Sequence, residues 1–194
     1  MGKGRLEAFS DGVLAIIITI MVLELKAPEV DTMHAFIPVL QKLASYALSF
    51  VYIGIYWNNH HHLLHAVHRV SGGAMWANLH LLFWLSLMPV ATAYMGERNF
   101  ATLPMAIYGV LLFLCAIAFT ILVRVLVRAE GADSVVARAI GADRKGNISL
   151  ALYALGIMFA FVSRPLSGAC YVAVALIWLV PDRRIEHALD EHPA

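Results

Sequence analysis

Apolar residues in this chain come in long unbroken runs, and polar ones gather between them. The first run, about 9–25, opens on Phe9, Ser10, Asp11 and Gly12, and from Val13 to Leu23 only Thr19 is polar. Further runs cover about 43–59, 73–95, 103–127, 148–163 and 165–180. Runs this long suit α-helices that satisfy their own backbone inside a bilayer, and they exclude sheets. The pattern predicts an all-α membrane protein of six transmembrane helices, folded as a single domain over 1–194. A cleavable leader beginning at Lys3 and Arg5 is the alternative for the first run. Asp11 inside it and the five runs that follow argue against one.

The connectors set the expected topology. Residues 26–41 read as an acidic connector with Pro28, Glu29, Asp31, His34 and Pro38, and 128–147 as a polar one with Gly131, Gly141 and Gly146. Ser163, Arg164 and Pro165 make a tight turn, and 181–194 form a polar tail. With six spans both termini share a side. That side collects ten basic residues: Lys3, Arg5, Arg69, Arg124, Arg128, Arg138, Arg144, Lys145, Arg183 and Arg184. The other collects four, Lys26, Lys42, Arg98 and Arg164. The basic side is cytoplasmic by the positive-inside rule, and Trp57, Trp76 and Trp178 then fall near that face.

Composition supports the class. Hydrophobic residues make up 61% of the chain and charged ones 14%. The mean hydropathy is +0.75. A water-soluble domain of this size could not bury so much apolar surface. A net charge of +1 gives no reason to expect nucleic acid as a partner. Cys115 and Cys170 lie inside apolar runs and read as small buried hydrophobes, neither disulfide nor metal ligands.

Two features of the first run carry chemistry. A carboxylate within a membrane helix costs about 2.5–3.5 kcal/mol unless partnered, so Asp11 marks a functional region. Ile16, Thr19, Ile20 and Leu23 fall at i, i+3, i+4 and i+7, one stripe of a helix. Asp11 lies about 140° from Ile16 and Ser10 about 120° on the other side. One helix thus offers an apolar stripe with a single hydroxyl, and polar anchors elsewhere, as a pore-lining helix locked to its neighbours would. Candidate partners for the anchors are Arg5, His60, His61 and Asn78, which the topology brings to the same depth. The ordinary reading of that cluster is structural glue. A pH-sensitive gate through His60 or His61 is the sharper one.

Arg5, Phe9, Ser10 and Asp11 form an Arg-x-x-x-Phe-Ser-Asp pattern at the start of the first span. This resembles the signature of the transmembrane protein 175 family of potassium channels. The resemblance continues in Trp57, His60 and His61 at the end of the second span, and in Trp76, Asn78, Pro89 and Gly96 of the third. It departs at His62-Leu63-Leu64 and at Val90. The second half of the chain matches in hydropathy and span count alone. The resemblance implies that first helices from several subunits surround a central axis. It places the pore constriction and lining at Ile16, Thr19 and Leu23, and packing of the motif at Phe9, Trp57 and Trp76. It further implies a homotetramer conducting K+ and other monovalent cations without a cofactor. A single repeat implies a multi-pass protein of a prokaryotic plasma membrane.

The chain lacks a Thr-Val-Gly-Tyr-Gly filter and a string of arginines. The expected conductance is therefore leak-like and voltage-insensitive, closed by a hydrophobic constriction. Two other functions fit some of the residues. His61, His65 and His68 share a helical face and could bind a metal in a membrane metalloprotein or enzyme. A proton-coupled carrier could use Asp11 and the histidines.

Overall fold

A computed structural model describes residues 2–28, 32–67, 70–131, 134, 137 and 143–179, with the backbone alone for 33–35. Arg69, Arg138, His68 and the tail from 180 onward, including Arg183 and Arg184, lie outside these residues. The elements are α1 (Lys3–Leu23), α2 (Met33–His65), α3 (Gly72–Ser86), α4 (Met88–Glu97), α5 (Thr102–Glu130), α6 (Arg144–Ala160) and α7 (Arg164–Leu179). Helices and turns account for all the described secondary structure. Among the described residues four rods are long and apolar enough to cross a bilayer: Lys3–Leu23, Phe36–His65, Gly72–Glu97 and Thr102–Glu130. The last two helices, of 17 and 16 residues, reach only about 25 Å. They form a hairpin through Phe161 and Val162, and Pro165 sits in the first turn of α7, where its missing N–H costs nothing.

Two boundaries differ from the sequence pattern. The second helix begins at Met33, ten residues before the expected run, and takes in most of what reads as a connector. Pro38 lies in its second turn and removes one hydrogen bond near an end, which a long helix tolerates. The third apolar run is a rod broken at Leu87. Pro89 has no N–H to offer Leu85, so the chain turns at Leu87 and restarts as α4 with proline in its first turn.

The core surrounds α5, whose Leu112, Cys115, Ala118, Leu122 and Leu126 are fully buried. Among the described residues both cysteines are free thiols. Helix α5 packs on α3, α4 and α6, while α7 closes on α6 and α2. The main contacts of α1 are with α2, α3 and α4, at the edge of the bundle.

Two close approaches depend on glycine. A Cβ on Gly96 would stand 2.6 Å from Ser45 Oγ and 3.0 Å from Lys42 Cα, so α2 and α4 touch there, beside the Lys42–Glu97 ion pair at 3.1 Å. The Tyr171 ring lies in a slot between Gly109 of α5 and Gly156 of α6, where either Cβ would collide with it. Its hydroxyl donates to the Met105 carbonyl at 3.1 Å, and its own carbonyl accepts from Tyr52 at 2.6 Å. A Gly109→Val change expels the ring and breaks the first bond. It should destabilise the detergent-solubilised protein by about 3 kcal/mol, read as a lower unfolding temperature.

Candidate functional site

The N-terminal half of α1 is held by two polar seams, one to α2 and one to α3. On the first, residues four apart on α1 meet residues four apart on α2, which runs the other way. Lys3 Nζ donates to the His65 carbonyl at 2.8 Å. Glu7 Oε1 lies 3.1 Å from His61 Nδ1, an ion pair when the ring is protonated. The Trp57 indole N–H donates to Asp11 Oδ1 at 3.0 Å. The Trp57, His61 and His65 rings stack along the same face of α2. These rungs recur every four residues because antiparallel helices keep i, i+4 neighbours in register.

The second seam is buried. Asn78 of α3 donates through Nδ2 to Ser10 Oγ at 2.9 Å, and its Oδ1 lies 2.7 Å from His60 Nε2. Ser10 in turn donates to the Leu6 carbonyl at 2.9 Å. Ser10 and Asn78 are fully enclosed and His60 nearly so. Ser71 caps α3 through the amide of Ala74, which fixes the start of the helix two turns before Asn78. The Asn78 amide thus ties three helices at one point. Among the described residues, His60 Nδ1 has no hydrogen-bond partner.

The structure joins Ser10, His60 and Asn78 in one buried network and places Asp11 and His61 in the other seam. Ser10 and Asp11 are about 100° apart on the helix, so they face different neighbours. Asp11 therefore meets Trp57, not a histidine, Asn78 or Arg5. Arg5 is exposed and joins neither seam. Phe9, Trp57 and Trp76 keep 49%, 47% and 75% of their surface exposed in the single chain. The sequence alone does not single out Lys3, Glu7 and His65 as members of this seam, although the four-residue spacing of Lys3, Glu7 and Asp11 against that of His65, His61 and Trp57 signals the pairing. Since Asn retains the acceptor oxygen, Asp11→Asn should shift unfolding by less than about 1 kcal/mol, whereas Asp11→Leu should cost more by stranding the indole N–H. Thermal unfolding in detergent separates the two.

Along its length α1 presents two faces. Leu6, Ser10, Leu14, Ile17 and Met21 are buried against α2–α4. On the opposite face Ile16 is 59% exposed and Leu23 75% exposed, with Thr19 exposed between them. The Thr19 hydroxyl donates to the Ile16 carbonyl at 2.8 Å, which leaves its oxygen lone pairs free. Farther along, Thr92, Ser49 and Tyr108 form a buried hydroxyl chain with links of 2.7 and 2.9 Å, and Met21 Sδ lies 3.8 Å from Thr92 Oγ1. Glu24 is exposed just past the end of α1. Glu29 and Asp31 lie outside the described residues.

Among the described residues no three His, Cys, Asp or Glu side chains converge as metal ligands. His61, the centre of the candidate metal face, is stacked between Trp57 and His65 with one ring nitrogen against Glu7.

The sequence model of the family described as endosomal/lysosomal potassium channel TMEM175 matches residues 5–89, the segment holding the inner seam, the exposed stripe and all of the outer seam except Lys3. A protein of Chryseobacterium sp. (strain P1-3) named as a potassium channel is 55% identical over 99% of this chain and 100% of its own length. One from Streptomyces collinus (strain DSM 40733 / Tue 365), also named as a potassium channel, is 35% identical over 91% of each chain. The crystal structure of a lysosomal potassium-selective channel TMEM175 homolog from Chamaesiphon minutus superposes with a TM-score of 0.78. It is 28% identical and covers 93% of this chain and 97% of that one.

Proposed function

The chain belongs to the TMEM175 family of potassium channels, and from that premise we propose that it is a potassium-permeable cation channel whose pore is lined by α1. The observation that carries this reading is the division of α1 into a face fixed in its own subunit and a face left uncovered. Ile16, Thr19 and Leu23 lie on the uncovered face. Copies of α1 around a symmetry axis would cover it, and cyclic symmetry puts the axis on the conduction path. A homotetramer is the assembly we favour.

In that assembly the Ile16 side chains meet as a dry ring, and ions pass only when it widens and wets. The Thr19 oxygens offer partial ligands to a partly dehydrated cation, and Leu23 narrows the far end. Such a path conducts K+ and other monovalent cations as a voltage-insensitive leak, with no cofactor and no resident metal. Ser10, Asp11, His60, His61 and Asn78 serve to lock α1 rather than to conduct. Phe9, Trp57 and Trp76 pack the motif, and Arg5 belongs with it by sequence. The whole chain acts as a single channel domain crossing the membrane six times, with both termini in the cytoplasm of a prokaryotic cell and the bilayer of the plasma membrane around it. The protein is a channel, not an enzyme.

Purified protein in a planar bilayer, with K+ on one side and Na+ on the other, tests the proposal. We expect unitary current steps that reverse displaced toward the K+ equilibrium potential. Slow saturable flux without unitary steps would identify a carrier and reject it.

A further inference from the structure

A cavity of about 190 Å³ lies away from α1, between α2, α5, α6 and α7. Its wall is apolar and aromatic, with Tyr56, Leu63, Phe119 and Val123 among the residues facing it. Several polar side chains along it are bonded locally. Asn59 donates to the Ile55 carbonyl, Thr120 to the Ala116 carbonyl, and Ser149 to the Lys145 carbonyl while accepting from the Trp178 indole. A space lined this way gives water few partners and favours hydrocarbon. It exceeds the about 150 Å³ apolar cavity that takes up benzene. It is smaller than the about 300 Å³ at which sites for whole small ligands begin. The fit is therefore to part of a longer molecule.

The mouth of the cavity is charged. Arg144 and Lys145 border it, and the Lys145 ammonium stands 5.8 Å from the centre of the Trp178 ring. Asp143 also borders it, and its Oδ1 accepts from the Gly146 amide at 3.1 Å, so the mouth carries two basic side chains against one carboxylate. Asn59 and Leu63 are within one turn of His60 and His61, so the mouth lies at the same end of the bundle as the polar seams. That end is cytoplasmic in the topology proposed above, where the leaflet carries anionic lipid.

We propose that this cavity is a binding site for an anionic phospholipid, with an acyl segment between α2, α5, α6 and α7 and its phosphate against Arg144 and Lys145. The assignment rests on the bundle lying in a membrane, not on ion conduction. A lipid wedged there contacts four helices of the subunit and none of α1, so it would tune the support of the pore without blocking it.

Trp178 supplies the test, because a bromine-labelled acyl chain in the cavity quenches its fluorescence. The full-length protein would be reconstituted in phosphatidylcholine vesicles containing increasing brominated phosphatidylglycerol, or brominated phosphatidylcholine as control. The signal of a Trp178→Phe variant is subtracted to remove Trp57, Trp76 and Trp84. We expect half-maximal quenching of Trp178 at about a fivefold lower mole fraction of the anionic lipid, the advantage of one net positive charge at the mouth, since Asp143 offsets one of the two basic residues. An Arg144→Gln/Lys145→Gln variant should lose that preference. Ala116→Leu, which fills the cavity from α5, should lose the Trp178 quenching with the oligomer intact on size exclusion. Equal quenching by the two lipids in the unaltered protein would overturn the proposal. So would an unchanged preference in the double variant, or displacement by millimolar inorganic phosphate, which would mean a free-anion site. The readout needs no current, so a failed channel assay and a failed lipid site remain distinguishable.

Discussion

Replacing Ile16 with asparagine should raise the resting potassium current about tenfold and bring the potassium and sodium permeabilities closer together. Ile16 sits on the uncovered face of α1, so the substitution does not disturb packing within the subunit. In the proposed assembly its amides line the narrowest ring, remove the dewetting barrier and offer oxygen ligands to any passing cation. Removing about 1.4 kcal/mol of that barrier is enough for the tenfold change. The neighbouring position is the control. Ile17 is 3% exposed and packed against its own subunit, so Ile17→Asn buries an unpaired amide and should reduce folded protein instead. A cysteine at 16 should react with small water-borne thiol reagents and block the current, and one at 17 should not. If current and selectivity survive Ile16→Asn unchanged, this face meets lipid and the pore lies elsewhere.

The second large effect is expected at Asn78. Leucine has the same branched skeleton of four side-chain heavy atoms but neither donor nor acceptor, so Asn78→Leu overfills the site while stranding His60 Nε2 and removing one bond to Ser10. Buried groups left unpaired cost about 1–3 kcal/mol each, and pairs between membrane helices average about 0.6 kcal/mol when removed cleanly. A loss of about 2–4 kcal/mol follows, a large part of the stability of a small domain. Size exclusion in mild detergent should show the oligomer peak collapsing, and Ser10→Ala should show a weaker form of the same defect. A normal oligomer with altered ion preference would mean that the seam acts in conduction and not in support.

How far the sequence discloses this arrangement depends on the range of each signal. The apolar runs are local and continuous, so the helices they mark are legible, as is the clustering of Ser10, His60 and Asn78. The start of α2 is hidden because Pro38 and the acidic residues before it look like a breaker, whereas a helix end absorbs a proline cheaply. Pro89 is visible, but whether it kinks a rod or divides it depends on the neighbours of Leu87. The partner of Asp11 depends on the rotation of α1 against α2, which only the alternating rungs from Lys3 to Asp11 disclose. The slot that Gly109 and Gly156 make for Tyr171, and the cavity walled by four helices, leave no periodic mark, since their parts are distant in sequence and meet only by packing.

Both seams close within one subunit, and this has a consequence for mixed populations in a cell. In the proposed assembly a subunit can complete both seams before it meets another, so folding and assembly become separable steps. A variant that damages only the uncovered face, such as Ile16→Asn, would still fold, join normal subunits and alter every channel containing it. It should behave as a dominant allele. A variant that breaks the inner seam, such as Asn78→Leu, would be lost before assembly, leaving normal subunits to pair among themselves. It should behave as recessive, with fewer channels of unaltered character.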